Sequence, residues 1–367
     1  MARRRPPRPE DALARAVLDR YLAVRRGESV LIESWSHALP WARSFVVEAR
    51  RRGARPSLTV EDEEAFFRSL GSSGSSAGVF GAEPALRGGA HVYFGGPEQF
   101  PRLLGLLPRD LERLRGRHDT AWWRAARRAG LRAVRIAVSD ATETAAKRYG
   151  VGQKEWEREL TRGSLVDPRS LELSGRRWLR RLARSRRLRV THPNGTDLVV
   201  ERGGRAPTID SGRPDPSVGS VWGRVPAGLL ILPLDSRATE GTWETNRPAY
   251  DRFAEPPVAL GGRFDFRAGR LTEFAFDRGG EQFAAATTRA GPHRTRAIAL
   301  TVGLNPAISQ APEVQELADG TVGLLLGDSA YRPAGTQPRF SFLAPLAGAA
   351  ITLEPRPARH RPPGPRR

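Results

Sequence analysis

Side chains that could bind a metal ion or act as acid and base are few and scattered in the second half of this sequence. Asp235 and Glu240 share one loop, and Asp328 follows a glycine-bounded apolar run. His293 is the histidine nearest to the Gly-Leu-Asn-Pro segment at 303–306. No two of the 6 histidines have H-x-H or H-x-x-x-H spacing. These side chains predict at most an irregular site for a divalent ion such as zinc or cobalt.

The absence of cysteine narrows the chemistry further. With no thiol among 367 residues, the chain has no disulfide, no thiolate nucleophile and no cysteine-ligated metal site. A nucleophile-elbow pattern, G-x-S-x-G, is centred on Ser76. Because it lies in the low-complexity run 71–78 with no strand before it, we interpret it as part of a linker.

The net charge of +20 raises the question of a polyanionic partner. Much of this charge lies in Pro/Arg-rich tails, 1–9 and 356–367, for which we predict disorder. The densest internal stretch, 175–189, fits an amphipathic helix with Arg176, Arg180 and Arg184 on one stripe. Its basic face has no interleaved aromatics for base stacking, so we favour a solvated surface with nonspecific polyanion attraction over a nucleic-acid groove.

The apolar runs indicate the expected location of the protein in the cell. The longest, 228–234 and 343–353, are shorter than the roughly 20 residues that a membrane-spanning helix needs. The N-terminal arginines are not followed by the apolar segment of a signal peptide. We therefore expect a cytoplasmic protein without a membrane span.

The first part of the chain alternates strand and helix patterns, which predicts an α/β domain over residues 10–140 with a mostly parallel sheet. We expect strands at 29–33, 56–60, 91–94 and 132–139, and helices at 11–24 and 40–52.

The second part changes period. Residues 141–186 read as a helical connection, and 187–355 read as a β-rich C-terminal domain. Two hairpins support this reading, one around the Pro-Asn-Gly turn at 193–195 and one around 267–269.

Several segments occur in an order that resembles one known family. They include VPAG at 225–228, GRFDFRAGRLTEF at 262–274, GLNP at 303–306 and GTVGLLLGDSAY at 320–331. With the N-terminal segment and the 189–198 hairpin, this order is similar to that of the aminopeptidase T-like family of thermophilic leucyl aminopeptidases. The resemblance covers nearly the whole chain apart from its tails.

The resemblance implies a dimeric, two-domain metallo-exopeptidase fold, and in that family two divalent ions activate a water and polarise the scissile carbonyl. This sequence departs from the family at the metal ligands. The family's glutamates, histidines and aspartate correspond to apolar residues or glycine, namely Leu229, Ala299, Gly323, Phe340 and Phe342. A family tyrosine has a counterpart in Tyr331, in a shifted register.

The sequence therefore predicts a noncatalytic homologue that needs no cofactor. By resemblance we expect a homodimer that binds a peptide or small molecule in the cleft that corresponds to the family's active site. Two alternatives remain open. One is an active metal-dependent hydrolase that uses Asp235, Glu240, His293 or Asp328 as ligands. The other is a nucleic-acid-associated protein that uses the basic face of 175–189.

Overall fold

The computed structural model describes most of the chain between the two basic tails. The described residues are 8–69, 89–99, 125–215, 221–251, 259–290, 295–327 and 341–355. Within them, no helix is both long and apolar enough to cross a membrane.

The N-terminal part alternates helix and strand. Its elements are α1 (Pro9–Ala16), which continues as a π-helical turn (Val17–Tyr21), β1 (Ser29–Trp35), α2 (Leu39–Arg51), β2 (Arg55–Glu61), α3 (Glu63–Ser69), β3 (Ala90–Phe94) and β4 (Arg132–Ile136). Helix α2 forms because Trp41, Ala42 and Phe45 recur on one buried face. Its basic last turn, Arg50 and Arg51, complements the helix dipole.

Strand β4 is shorter than the sequence pattern predicts. It ends at Ile136, and residues Ala137–Asp140 form a 3₁₀ turn. The turn brings the Asp140 carboxylate back to Arg135, the second-last residue of the strand. This side-chain pair accompanies the early end of the strand.

Three helices follow: α4 (Glu143–Tyr149), α5 (Gln153–Ser164) and α6 (Pro168–Leu182). The Thr142 side chain caps α4 by accepting from Ala145 N, and Gly150 ends that helix in a left-handed conformation. Asp167 caps α6 by accepting from Arg169 N.

The remaining chain is mostly strand. Its elements are β5 (Arg187–Thr191), β6 (Asp197–Glu201), β7 (Thr208–Asp210), β8 (Trp222–Val225), β9 (Leu229–Pro233), β10 (Glu240–Glu244), β11 (Tyr250–Asp251), β12 (Arg263–Arg267), β13 (Arg270–Ala275), α7 (Gly280–Ala290), β14 (Ala297–Gly303), β15 (Val322–Gly327), β16 (Ser341–Leu346) and β17 (Ala350–Glu354).

These strands form three sheets. The first sheet is parallel, with order β2-β1-β3-β4-β8. The second, β13-β12-β10-β6-β5-β17, and the third, β11-β16-β15-β14-β9-β7, are antiparallel. The predicted fold class, an α/β part with a parallel sheet joined to a β-rich part, is thus confirmed. Strand β8 was not anticipated in the first sheet, because it belongs to the range that the sequence assigns to the second domain.

The third sheet lies between two apolar cores. On one face, Leu229, Ala299 and Leu325 share a core with residues of the first sheet such as Val92 and Ile136. On the other face, Leu300 and Leu324 share a core with the second sheet, including Trp243, Phe264 and Val190. The α/β and β-rich parts are therefore joined by continuous packing.

Candidate functional site

Three of the positions aligned with family metal ligands lie on one face of the third sheet. Leu229, Ala299 and Gly323 belong to adjacent strands β9, β14 and β15. Gly303 pairs with Leu229, and Thr301 pairs with Gly323. Because paired residues and residues two apart share a face, all three positions face the core shared with the first sheet.

This face is closed and apolar. Leu229 is 2% exposed and Ala299 is 1% exposed, and Leu325 and Leu343 pack in the same core. A Cβ atom added to Gly323 would collide with Thr301 Oγ1 and lie 2.9 Å from Leu343 Cδ1. The structure therefore leaves no room for a ligating side chain at position 323.

Phe342 lies apart from these three positions. It pairs with Leu326, whose side chain belongs to the other core. Its ring packs against Phe283 with centroids 4.7 Å apart, and against Phe264 at 6.1 Å. Of the five aligned positions the structure thus brings three together and directs Phe342 to the opposite face. Phe340 and the candidate Tyr331 lie outside the described residues.

The alternative ligands in the described chain are engaged in local turns. Asp235 Oδ1 accepts from Arg237 N at 3.2 Å, and Asp235 Oδ2 lies 3.5 Å from Arg186 Nη2. Glu240 Oε1 accepts from Ala268 N at 2.6 Å. No three His, Asp or Glu side chains among the described residues form a group that could hold a metal ion. His293 and Asp328 lie outside the described residues.

The VPAG segment at 225–228 and the GLNP segment at 303–306 have a structural role that the sequence alone does not show. Asn305, in the GLNP segment, is fully buried, and its Nδ2 donates to Ala227 O at 2.7 Å and to Gly163 O at 3.0 Å. Gly228 has φ +122°, and its backbone oxygen accepts from Leu304 N. Asn305 therefore joins the VPAG segment, helix α5 and the GLNP turn.

A second contact fixes the loop after this turn. Glu159, on α5, is buried, and its Oε1 accepts from the backbone N–H groups of Ser309, Gln310 and Ala311. Sequence analysis missed Glu159 and Asn305. The contacts of both residues join α5 to the chain after β14 across more than 140 residues, so no local pattern reveals them.

A polar cleft lies at the carboxyl edge of the first sheet, between that sheet, α4 and the loop between β14 and β15. This is the edge at which open parallel sheets generally bind ligands. The cleft has a volume of about 50 Å³. Its charged and phenolic lining consists of Glu98, Arg135, Asp140, Arg148, Tyr149 and Glu313. We refer to it as the edge cleft.

A two-point ion pair forms one wall of the edge cleft. Arg135 Nη1 lies 2.9 Å from Asp140 Oδ2, and Arg135 Nη2 donates to Asp140 Oδ1 at 3.0 Å. The guanidinium group packs against Gly95, where an added Cβ would lie only 2.5 Å from Arg135 Nε. A side chain at position 95 would therefore displace the arginine.

Glu313 forms the facing wall. Its backbone has φ +63°, a conformation that residues other than glycine rarely adopt. Tyr149 Oη donates to Glu313 Oε1 at 2.7 Å. Strained backbone of this kind persists where the surrounding structure holds it, and it is concentrated at functional sites.

Ionisable groups in and near the edge cleft have shifted pKa values. Burial raises the pKa of Asp140 to about 6, Arg135 and Arg224 act to lower it, and the charge of Glu313 raises it further. The His37 ring lies nearby, with Nε2 3.2 Å from Ser139 O, and burial lowers its pKa. Asp140 and His37 therefore both change charge near neutral pH or below it.

Arg135 belongs to a polar row across the first sheet. The strand registers place Glu33 beside Tyr93, Tyr93 beside Arg135, and Arg135 beside Arg224. Glu33 Oε2 also lies 2.9 Å from His91 Nε2, and both side chains are nearly fully buried. Burial raises the pKa of Tyr93 to about 12.

The sequence contained a signal for this row. Strands of a parallel sheet that is covered on both faces usually read as continuous apolar runs. Here β1, β3 and β4 carry polar residues within such runs, for example Glu33, His91 and Arg135. Those polar residues could have indicated a polar row in the first sheet.

Comparison with solved structures identifies the fold. AmpT from Thermus thermophilus aligns with a TM-score of 0.63 and 19% identity, over 86% of this chain and 85% of that chain. The 2,5-dihydroxypyridine dioxygenase from Pseudomonas putida KT2440 aligns with a TM-score of 0.60 and 15% identity, over 95% of each chain. Neither a protein-family model nor a curated protein matches the sequence. The chain therefore has an aminopeptidase T-like fold, and because these two structures are named for different reactions, the fold alone does not assign an activity.

Proposed function

We propose that this chain is a noncatalytic relative of the metallo-aminopeptidases. The observation that carries the proposal is the closed apolar face formed around Leu229, Ala299 and Gly323. The resemblance aligns these positions with metal ligands, and the fold is that of aminopeptidase T.

The physical chemistry of this face supports the proposal. A two-metal hydrolase needs several carboxylate or imidazole ligands that converge on ions about 3.5–4 Å apart. An ionised carboxylate buried without a partner costs several kcal/mol, so a ligand cannot be kept in this core unless the metal is bound. Leucine and alanine at 229 and 299 instead contribute to packing between the first and third sheets.

By the same resemblance, we propose that the chain acts as a homodimer that binds a peptide or a small molecule. Sedimentation velocity measures the first part of this proposal directly. A monomer at tens of micromolar protein would contradict it.

The competing hypothesis is an active hydrolase with a rearranged ligand set. Asp235 and Glu240 each accept from a solvent-exposed backbone N–H, which water could satisfy if a metal bound the carboxylate. The ligand count argues against this hypothesis, because no three His, Asp or Glu side chains among the described residues form a group that could hold a metal ion.

The test is metal analysis combined with hydrolysis of leucine p-nitroanilide. Protein purified with zinc or with cobalt is expected to contain far less than one ion per chain and to show no turnover above buffer. Near-stoichiometric metal together with turnover would overturn the proposal. The double variant Asp235→Asn/Glu240→Gln, with Glu143→Gln as an exposed control, would then show whether the rearranged ligands are responsible.

A second candidate role, nonspecific attraction to polyanions, is favoured by the outer face of α6. Arg176, Arg177 and Arg180 are exposed there, and Arg184 is exposed just after the helix ends at Leu182. The helix predicted over 175–189 is therefore too long, because the chain turns after Leu182 and residues 187–189 belong to strand β5. None of these four arginines forms an ion pair with an acidic side chain in the described parts of the chain. Four unneutralised guanidinium groups on one face produce a local positive potential.

This role is tested by binding to single- and double-stranded DNA over a range of salt concentrations. We expect weak binding without sequence preference that is lost as salt rises. The triple variant Arg176→Gln/Arg180→Gln/Arg184→Gln should weaken it more than Arg43→Gln/Arg50→Gln/Arg128→Gln, which removes the same charge elsewhere. Equal effects of the two triple variants would show that only net charge matters.

A further inference from the structure

We propose that strand β2 is the surface through which two copies of this chain pair, edge to edge, with the two β2 strands antiparallel and centred on Leu58. The proposal rests on the homodimer proposed above, for which it specifies the contact surface. It is independent of whether the chain binds metal.

Strand β2 is an open edge of the first sheet. In the described parts of the chain it pairs with β1, and its residues 57–60 are all exposed. With seven residues it is the longest of the described edge strands, whereas the edges of the third sheet, β7 and β11, have three and two. A long open edge is a template for pairing with another strand, and proteins usually shorten or cover such edges.

Pairing with β1 determines which backbone groups of β2 face outwards. Arg55 N donates to Glu28 O at 2.8 Å, so the odd-numbered residues of β2 direct their backbone groups towards β1. Leu58 and Val60 therefore direct their N–H and C=O groups away from the sheet. Pro56 has the same orientation and offers only a C=O, which is where an edge strand tolerates proline.

A second β2 strand supplies partners for these groups. With Leu58 opposite its own copy, the two Leu58 residues exchange both of their N–H···O bonds. On either side of this centre, the N–H of Val60 in one copy reaches the C=O of Pro56 in the other. The missing N–H of Pro56 therefore leaves only the C=O of Val60 unpaired, at the solvent-exposed ends of the contact.

The charges at the two ends of β2 are complementary between copies. Because positions 55 and 61 are symmetric about 58, Arg55 of each copy lies opposite Glu61 of the other, with Cβ atoms about 4.5–5.5 Å apart. Burial and the charge of Asp62 raise the pKa of Glu61, and a guanidinium group beside it would favour its ionised form. Two chains that each carry a net charge of +20 repel one another, so a contact between them needs local charge pairing of this kind.

The uncharged side chains of β2 are complementary as well. Leu58 and Val60 are 38% and 42% exposed, and Leu58 pairs with Ile32 on the side of the sheet that packs in the core with α2. The two Leu58 side chains would meet on that side of a continuous sheet, and Ser57 would lie opposite Thr59 on the other side. The partner that fits this edge is therefore a second copy of β2.

The first experiment is sedimentation velocity of the full chain at about 1–100 µM protein. We expect a dimer at tens of micromolar. Leu58→Lys places two ammonium groups opposite each other at the centre of the contact, so it should weaken dimerisation about tenfold or more. The control is Val47→Lys on α2, because Val47 is 44% exposed and the change in charge is the same.

A charge exchange tests the register. Arg55→Glu places glutamates opposite each other at both ends of the contact and should weaken the dimer about threefold or more. The double variant Arg55→Glu/Glu61→Arg restores opposite charges at the same positions, so it should recover most of the lost affinity. This recovery distinguishes the centred register from any other contact, and it remains informative if Leu58→Lys folds poorly.

Hydrogen exchange read by mass spectrometry observes the edge directly. The N–H groups of Leu58 and Val60 should exchange quickly at about 1 µM protein and several-fold more slowly at about 100 µM, because only the dimer pairs them. Peptides from α2 should exchange equally at both concentrations.

The outcomes separate this proposal from the proposed function. A dimer that weakens in Leu58→Lys and Arg55→Glu, persists in Val47→Lys and is recovered by the charge exchange would support the contact through β2. A dimer of unchanged affinity in the β2 variants would overturn this contact and leave the homodimer standing. A monomer at tens of micromolar would overturn both. None of these results bears on metal content or peptide hydrolysis.

Discussion

The first and third sheets differ in whether they bury polar side chains at the positions compared here. On the third sheet, the positions aligned with metal ligands hold Leu229, Ala299 and Gly323 in an apolar core. On the first sheet, Glu33, Tyr93 and Arg135 form a row across the strands, and Asp140 pairs with Arg135. The difference shows that a carboxylate remains inside this protein where a neighbouring side chain or backbone donor compensates it.

This contrast also separates stability from function. Buried ion pairs are weak evidence for stability, because desolvation of both charges offsets most of their attraction. The polar row and the strained Glu313 backbone are therefore not explained as contributions to folding alone. The following experiments probe each side of the contrast, beginning with the largest expected effect.

Restoring a carboxylate on the third sheet should be severely destabilising. Leu229→Glu would place an uncompensated charge at a position that is 2% exposed, and we expect it to lower the free energy of unfolding by about 3–5 kcal/mol. Urea denaturation measures this. Leu229→Met, which conserves volume, is the control and should cost less than about 1.5 kcal/mol. A stable Leu229→Glu protein that binds zinc would break the contrast between the sheets.

Removing the amide of Asn305 should come next in size. Asn305→Ala leaves the carbonyl oxygens of Gly163 and Ala227 without this donor in a fully buried site, so we expect a loss of about 2–4 kcal/mol. Asn246→Ala is the matched control, because Asn246 also bonds a backbone carbonyl and N–H but is exposed. Equal losses in the two variants would show that burial of Asn305 is not the cause.

A methyl group at Gly95 should separate the Arg135–Asp140 pair. Gly95→Ala places a Cβ 2.5 Å from Arg135 Nε, and we expect destabilisation of about 1–3 kcal/mol, measured by urea denaturation. Gly204→Ala, where an added Cβ meets nothing within 4 Å, is the control. Unchanged stability in Gly95→Ala would mean that the arginine can move without loss.

The smallest expected effect is a change in the titration of Asp140. Because the charge of Glu313 raises the pKa of Asp140, Glu313→Gln should bring it below its value of about 6, by less than about one unit. NMR of protein carrying ¹³C-carboxyl aspartate follows this group. A pKa that rises or stays fixed in the variant would contradict the placement of Glu313 opposite Asp140.

The same shift sets a sign for the pH dependence of stability. Asp140 keeps its proton to about pH 6 in the folded chain, whereas its ordinary pKa is 3.8. Between these values the folded state binds more protons than the unfolded state, so the contribution of Asp140 to stability falls as pH rises through this window. Glu313→Gln should make this fall shallower in denaturation curves measured at pH 4.5 and 6.5.

Much of the architecture was predictable from local pattern. Alternating strand and helix signals correctly indicated the parallel sheet, and the Pro-Asn-Gly turn at 193–195 indicated the β5–β6 hairpin. These features depend on residues that are close in sequence, such as turn glycines and apolar periodicity. The apolar residues at 229 and 299 were equally visible in the sequence, and so was the glycine at 323.

Other features depend on contacts between distant segments. Strand β8 completes the first sheet, although its neighbours in sequence belong to the other sheets. Tyr149 and Glu313, which form part of the edge cleft, are 164 residues apart. No local pattern specifies which turn of the chain will meet which strand edge.

By itself, the sequence determined which side chains occupy the positions aligned with the family's metal ligands. It also determined most of the strands and helices, because residue type and periodicity act locally. Only the tertiary structure decided that three of those positions share one closed core while Phe342 faces another. It also decided that Asp140, Glu313 and Tyr149 meet in a cleft. The physical reason is that burial, pairing of charges and pKa shifts depend on neighbours that folding brings from distant parts of the chain.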